Sequence, residues 1–166
     1  MMYCSLCGKK LELKNIHNEG EIPFCKECHK LYFPRIDIAI IAILTNDKSE
    51  VCLTNQNKEG KYKVLIAGFV KPNETLEECV IREIKEEVGI DVLSCSYLNS
   101  YHYDTNNVLM VGFHAKTSQS DFLIDKEEID NAAWYDLHDV IGRIREGSIA
   151  DLLYKQFYQS KAKIEL

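Results

Sequence analysis

Residues 68–90 read "GFVKPNETLEECVIREIKEEVGI", and the rest of the chain is read outward from them. Thr75 and Glu78 form a Thr-x-x-Glu capping box, and Gly89 stands where a left-handed C-cap belongs. The pair predicts a helix from about Leu76 to Val88. At roughly 100° per residue, Val80, Ile81, Ile84 and Val88 form its apolar arc. Glu83, Glu86 and Glu87 then share a neighbouring arc that faces away from the packed side. Like charges three and four residues apart repel mildly on a helix. Either water screens these carboxylates, or a hard divalent cation belongs with so many converging oxygens. Arg82, beside Glu83, would orient or partly neutralise the cluster.

The chain has 166 residues, 46% of them hydrophobic and 28% charged, with a formal net charge of −6. This is the composition of a soluble globular protein of one ordinary domain with a small appendage. The longest apolar run, "IAIIAIL" at 38–44, is far short of the roughly 20 residues needed to span a bilayer. "MMYCSLCGKK" lacks the apolar stretch of a secretory signal. The expected location is therefore the cytoplasm, where disulfides are rare. An acidic protein does not bind nucleic acid broadly, and it needs cations to meet a phosphorylated substrate.

At the amino terminus, Cys4-x2-Cys7 and Cys25-x2-Cys28 have the spacing of a four-cysteine zinc site. Two such turns each present a pair of thiolates, which together complete a tetrahedron around Zn²⁺. Disulfides and a redox Cys-x-x-Cys are the alternatives; compartment argues against the first, paired spacing against the second. Metal binding would supply most of the folding energy of so small a segment, and a closed site of this kind is structural. The first 35 residues carry six Lys/Arg and four Asp/Glu, a net of +2. Cys52, Cys79 and Cys95 sit among apolar residues and read as core.

Beyond residue 33 the pattern is mixed α and β. Strands are expected at 36–45, 50–56 and 62–70, with "NKEGKY" as a polar loop before the third. A strand pair follows at 91–103 and 107–115, and a short strand starts at Ala132. Helical periodicity marks 137–147 and 148–161. The natural packing is a mixed sheet covered by helices on both faces.

Read from Gly68, the chain gives Gly-x5-Glu74-x7-Arg82-Glu83-Ile84-x-Glu86-Glu87-x-Gly89-Ile90. A random position would match less than ~1 time in 10⁸. This resembles the Nudix box, complete at every defined position, with Gly68, Glu74, Arg82 and Gly89 as its supporting residues. The resemblance implies an α/β Nudix sandwich (α/β/α, with a mixed sheet) and hydrolysis of a diphosphate linked to another group. The order of a four-cysteine ribbon (1–33) and a Nudix hydrolase domain (34–166) resembles the zinc-ribbon branch that includes NADH pyrophosphatase. By that resemblance Glu83 and Glu87 bind Mg²⁺ or Mn²⁺, with Glu86 as a further ligand or base. The carbonyl of Ala67 joins them, and Glu128 completes the metal site, with Glu127 as its rival.

Two departures concern substrate. "SYHYDTNNV" stands where the branch has Ser-Gln-Pro-Trp-Pro-Phe-Pro-x-Ser, and Phe33-Pro34-Arg35 replaces Tyr-Pro-Arg. The large amino-terminal domain of those enzymes is likewise not expected here. Tyr97, Tyr101 and Tyr103 are placed to stack on a base, although alternating aromatics also suit plain packing, and Phe33, Tyr101 and Tyr103 are the substrate-binding candidates. The expected partner is a small nucleotide-diphosphate: NADH or NAD⁺, ADP-ribose, a nucleotide sugar or similar. Nucleoside triphosphate hydrolysis, or a nucleic-acid-binding ribbon on a Nudix scaffold, are the competing readings. Family members are often dimers, so a homodimer is carried as an expectation.

Overall fold

A computed structural model describes residues 2–55, 60–103 and 107–162. Residues 57–59 of the loop expected at 57–62, and 104–106 of the departing stretch, lie outside the described residues. Two compact units divide between Ile36 and Asp37.

The first unit is a three-stranded antiparallel sheet, β1 (Glu12–Ile16), β2 (Gly20–Cys25) and β3 (Lys30–Leu31), in sequence order. The β1–β2 turn works because Asn18 and Gly20 take positive φ, 69° and 76°. Cys4, Ile22, Pro23 and Cys25 are the buried apolar residues among those described in this unit. That is a thin core, as expected of a fold that depends on something besides hydrophobic burial.

The second unit holds a six-stranded mixed sheet: β4 (Asp37–Thr45), β5 (Val51–Asn55), β6 (Ile66–Phe69), β7 (Ser94–Tyr103), β8 (Val108–Lys116) and β9 (Asn131–Tyr135). The order is β7-β8-β4-β5-β9, with β6 also paired to β4. Among the described strands of this sheet, β4 and β8 are the parallel pair, aligned from Asp37↔Val108 to Thr45↔Lys116. Central β4 is buried on both faces from Ala39 on, which is why it reads as an unbroken apolar run rich in isoleucine. Helix α1 (Leu76–Val88) packs on one face, where Val80, Ile84 and Val88 meet Ile40, Ala42, Leu44 and Phe113. Helix α2 (Ile149–Ala162) covers the other, where Leu153, Tyr154 and Phe157 meet Ile41, Ile43 and Leu53. No helix among the described residues is long and apolar enough to cross a membrane.

Three expectations need correction. The strand expected at 62–70 is regular only over 66–69, because residues 63 and 64 make isolated bridges to Ile144 and Thr54. The helix expected at 137–147 is a 3-10 turn, Leu137–Val140. Gly142 at φ 83° ends it, and Ile144 is drawn out of helical register to bridge Lys63, where it is buried. Lastly, α1 is rotated relative to the expected arc. Ile81 is 45% exposed and Glu87 only 4%, so Cys79 and Glu87 flank the packed stripe.

Candidate active site

The site is built where β6 runs into α1. Lys71 N–H donates to Glu74 Oε2 at 2.9 Å, and Asn73 takes a positive φ of 66°. The capping box then starts the helix: Glu78 N–H donates to Thr75 Oγ1, and Thr75 N–H to Glu78 Oε2. Gly89, left-handed at φ 72°, ends it with its N–H on Lys85 O. Each of these signals is local, so the helix spans the predicted residues.

Arg82 organises the box. Its Nε and Nη2 grip the Glu74 carboxylate at 2.6 and 2.9 Å, a bidentate pair. Nη1 reaches Glu83 Oε1 at 2.6 Å and Glu86 Oε2 at 2.9 Å, and Nη2 also donates to Phe69 O. The guanidinium holds Glu74 down to about 2 and keeps Glu86 below the usual carboxylate range. Glu86 Oε1 faces Lys71 Nζ at 3.4 Å. Lys71 and Cys79, whose Sγ lies 3.3 Å from Arg82 Nη2, join the network at undefined box positions, and nothing in the spacing marked them.

Gly68 explains itself by what a side chain would hit. A Cβ there would lie 2.0 Å from Glu83 Cδ and Oε1. The carboxylate therefore rests against bare backbone of β6, next to Ala67.

Glu87 is the unusual group. Its Oε2 is buried with no hydrogen-bond partner among the described residues. Burial raises its carboxyl to about 7, with the Glu83 charge adding and the Ala67 amide opposing. Glu128 is exposed; its charge contributes to that field, and its own carboxyl is raised by partial desolvation and then by Glu86, Asp125 and Glu83. The segment carrying it is laced to the end of α1, with Leu123 N–H on Val88 O and Asp125 N–H on Glu87 O. Trp134 stacks on Phe122 and donates to Ser120 O at 2.7 Å. Glu127 N–H is tied to Asp125 Oδ1. Once the Glu87 carboxyl loses its proton, the oxygen can only accept, and with the charges of Glu83 and Glu128 acting on it the donor set suits a hard divalent cation.

The four cysteines converge in the first unit, every sulfur within 4.8 Å of the others. Cys4 and Cys28 sulfurs are 3.8 Å apart, and those of Cys7 and Cys25 3.6 Å. A zinc–sulfur bond of ~2.3 Å gives a tetrahedron edge of ~3.8 Å, so the residues fit Zn²⁺. Gly8, at φ 69°, donates to Cys4 O and closes the first turn. Tyr32, which the spacing did not mark, hydrogen-bonds Cys4 and draws its thiol down to about 6.

The aromatic candidates do not gather. A bulge between Tyr97 and Asn99 turns the two halves of β7 to different faces. Tyr97 meets Phe113 edge-on, on the α1 side, whereas Tyr101 packs toward α2 and donates to Gln156. Tyr103, 43% exposed, lines a cleft of about 560 Å³ with Met110 and the Arg145–Ala150 segment. Phe33 lies in the first unit, half exposed, beside Tyr32 and Pro34.

Box, sandwich and cradle together define a Nudix fold. Residues 35–157 match the NUDIX domain model, and the chain belongs to that family. It is 34% identical over 140 residues to the NAD-capped RNA hydrolase NudC of Pseudomonas entomophila, covering 83% of this chain and 49% of that protein. With the protein of the same name from Vibrio atlanticus it shares 35% over 151 residues, 90% and 55% of the two chains. The chain thus spans about half the length of the curated relatives it matches. Among solved structures it superposes on a NUDIX hydrolase from Nitrosomonas europaea with a TM-score of 0.73, at 19% identity over 98% of this chain and 93% of that one. The NUDIX domain of Shewanella oneidensis NrtR, solved with ADP ribose, gives 0.65 at 17% identity over 83% and 94%. At such identities these two show the fold alone.

Proposed function

We propose that this chain is a metal-dependent pyrophosphohydrolase that cleaves the diphosphate of a nucleotide joined to a second group. The observation that carries the reading is the buried Glu87 carboxylate, its Oε2 without a partner among the described residues, together with the Gly68–Glu83 cradle. Glu83, Glu86, Glu87, Glu128 and the carbonyl of Ala67 would hold Mg²⁺ or Mn²⁺. Such an ion, when bound, lowers the pKa of water and offsets phosphate charge.

The residues themselves divide the remaining work. Arg82 aims Glu83 and Glu86 by holding both through one nitrogen, and it keeps the Glu86 carboxyl below the usual range. Water attacks one phosphorus, the bridging oxygen leaves with the other phosphate, and two monophosphates result. Both oxygens of Glu86 are already engaged, by Arg82 and Lys71. Glu128 is therefore the better-suited proton acceptor. The four cysteines would hold a structural Zn²⁺, and the cytoplasm remains the expected compartment.

The box selects a bond and leaves the nucleotide open. The relatives' shared name favours an NAD diphosphate, free or at the 5′ end of an RNA, over a nucleoside triphosphate. A panel of NAD⁺, NADH, ADP-ribose, a nucleotide sugar, nucleoside triphosphates and NAD-capped RNA, with Mg²⁺ or Mn²⁺ and products resolved by mass, tests this. The expected result is two monophosphates from an NAD-type substrate, lost in Glu83→Gln with its fold intact. No hydrolysis of any member, or full turnover by Glu83→Gln, would refute the reading.

A further inference from the structure

Tyr32 joins two parts of the first unit. Its backbone N–H donates to Pro23 O at 2.8 Å, fixing its main chain to β2. Its hydroxyl reaches the opposite turn, 2.9 Å from Cys4 Sγ. Ser5 N–H donates to that same hydroxyl oxygen at 3.2 Å. A phenol carries a single hydroxyl proton. Ser5 Oγ, 3.4 Å away, is the other group within reach of that proton. A metal-bound Cys4 is a thiolate with no proton to give, so across the shorter contact the phenol O–H donates to Cys4 Sγ. Leu6 N–H also donates to Cys4 Sγ, at 3.4 Å.

Four thiolates around a dication leave a net negative charge on the sulfurs, and every donor to sulfur spreads it. Backbone amides commonly serve that purpose; here a side-chain hydroxyl is added. Packing alone would not require it, because phenylalanine would keep the ring, including its contact with Lys30 Nζ, 5.5 Å from the ring centroid.

We propose that Tyr32 is a positioning residue for a zinc centre at Cys4, Cys7, Cys25 and Cys28, its hydroxyl donating to the Cys4 sulfur of the metal-bound cluster. The proposal rests on the zinc part of the proposed function and is independent of the catalytic part. Groups that orient metal ligands typically change affinity by ~10- to 100-fold. Tyr32→Phe in the whole chain should weaken zinc by that factor in competition with a chromophoric chelator.

The second readout separates a bond to sulfur from mere packing. In Co²⁺-loaded protein, losing a donor raises the energy of the thiolate electrons. The sulfur-to-metal charge-transfer band of Tyr32→Phe should therefore move to lower energy, while the tetrahedral visible bands persist. Unchanged affinity and an unmoved band overturn the proposal; so does weaker affinity with an unmoved band, which would assign Tyr32 to packing. Should the variant fail to load, replacing tyrosine by 3-fluorotyrosine keeps every ring and strengthens the donor. The band must then move to higher energy, and an unmoved band overturns the proposal. Failure of the unsubstituted protein to take up Zn²⁺ or Co²⁺ removes the zinc reading itself, and is visible before any variant is made.

Discussion

Glu87 sits at position i+4 from Glu83, yet the two glutamates live in different surroundings. Glu83 leans on the bare backbone of Gly68 under Arg82, and Glu87 is driven under the sheet with an oxygen unpaired. Its carboxyl is raised to about 7, so the folded state holds a proton there that the unfolded chain releases near 4.5. A raised acid favours the fold at low pH, and that contribution is lost as pH rises from 4.5 through 7. The full cost of ionisation is about 3 kcal/mol. Without added divalent ions, Glu87→Gln should therefore gain on the parent protein as pH rises from 4 to 8. Urea unfolding followed by Trp134 fluorescence measures this, and a gap that does not change with pH contradicts it. Added Mn²⁺ at pH 8 should stabilise the parent and leave Glu87→Gln unmoved. The identity of Glu87 as a box residue was legible because box spacing is local. Its burial was not, because the rotation of α1 is set by how Cys79, Val80 and Ile84 seat on the sheet.

At the scale of elements, the C-terminus of α1 carries both the cap and the docking point for residues 120–128. Gly89 holds φ 72°, and a Cβ there would lie 2.6 Å from Leu123 Cβ and 2.7 Å from Leu123 O. The obstacle is largely backbone, so it cannot swing aside as a side-chain tip would. Gly89→Ala should cost at least about 2 kcal/mol from left-handed strain and the clash together. It should also speed hydrogen exchange at Leu123 and Asp125, whose amides bond the end of α1. Unaltered protection of those two amides would disprove the coupling. The caps of α1 were readable because each involves residues at most four apart. The segment after β9 was misread for the opposite reason: its periodicity is helical, but Ile144 is claimed by Lys63, far away in sequence.

Across the whole second unit, two buried titratable groups oppose each other from either side of the sheet. His114, 7% exposed, bonds Thr45 Oγ1 at 2.8 Å and lies 4.7 Å from the Phe157 ring. Burial, with the charges of Lys161 and Lys116, lowers its pKa from 6.5 to about 4. A depressed base stabilises the fold above 6.5 and loses that contribution as pH falls toward 4, again about 3 kcal/mol in full. Glu87 acts in nearly the same window with the reverse sign. Between pH 4.5 and 6.5 the two slopes largely cancel, which predicts flat stability there. His114→Phe should leave a protein that weakens as pH rises, and Glu87→Gln one that strengthens. Parallel pH profiles for the two variants would rule out the compensation.

What the sequence determined by itself was everything carried by short-range spacing. The paired cysteines, the capped helix and the box from Gly68 to Ile90 all fall in this class, since thiolate pairs, caps and helix faces depend on residues a few positions apart. Tertiary structure alone decided the parallel pairing of β4 with β8, the burial of Glu87 and the bringing of the Glu128 charge into its field. It also decided the opposite facing of Tyr97 and Tyr101, and the reach of Tyr32 to Cys4. Each of these follows from contacts between distant segments, where packing against a neighbour overrides what the local pattern prefers.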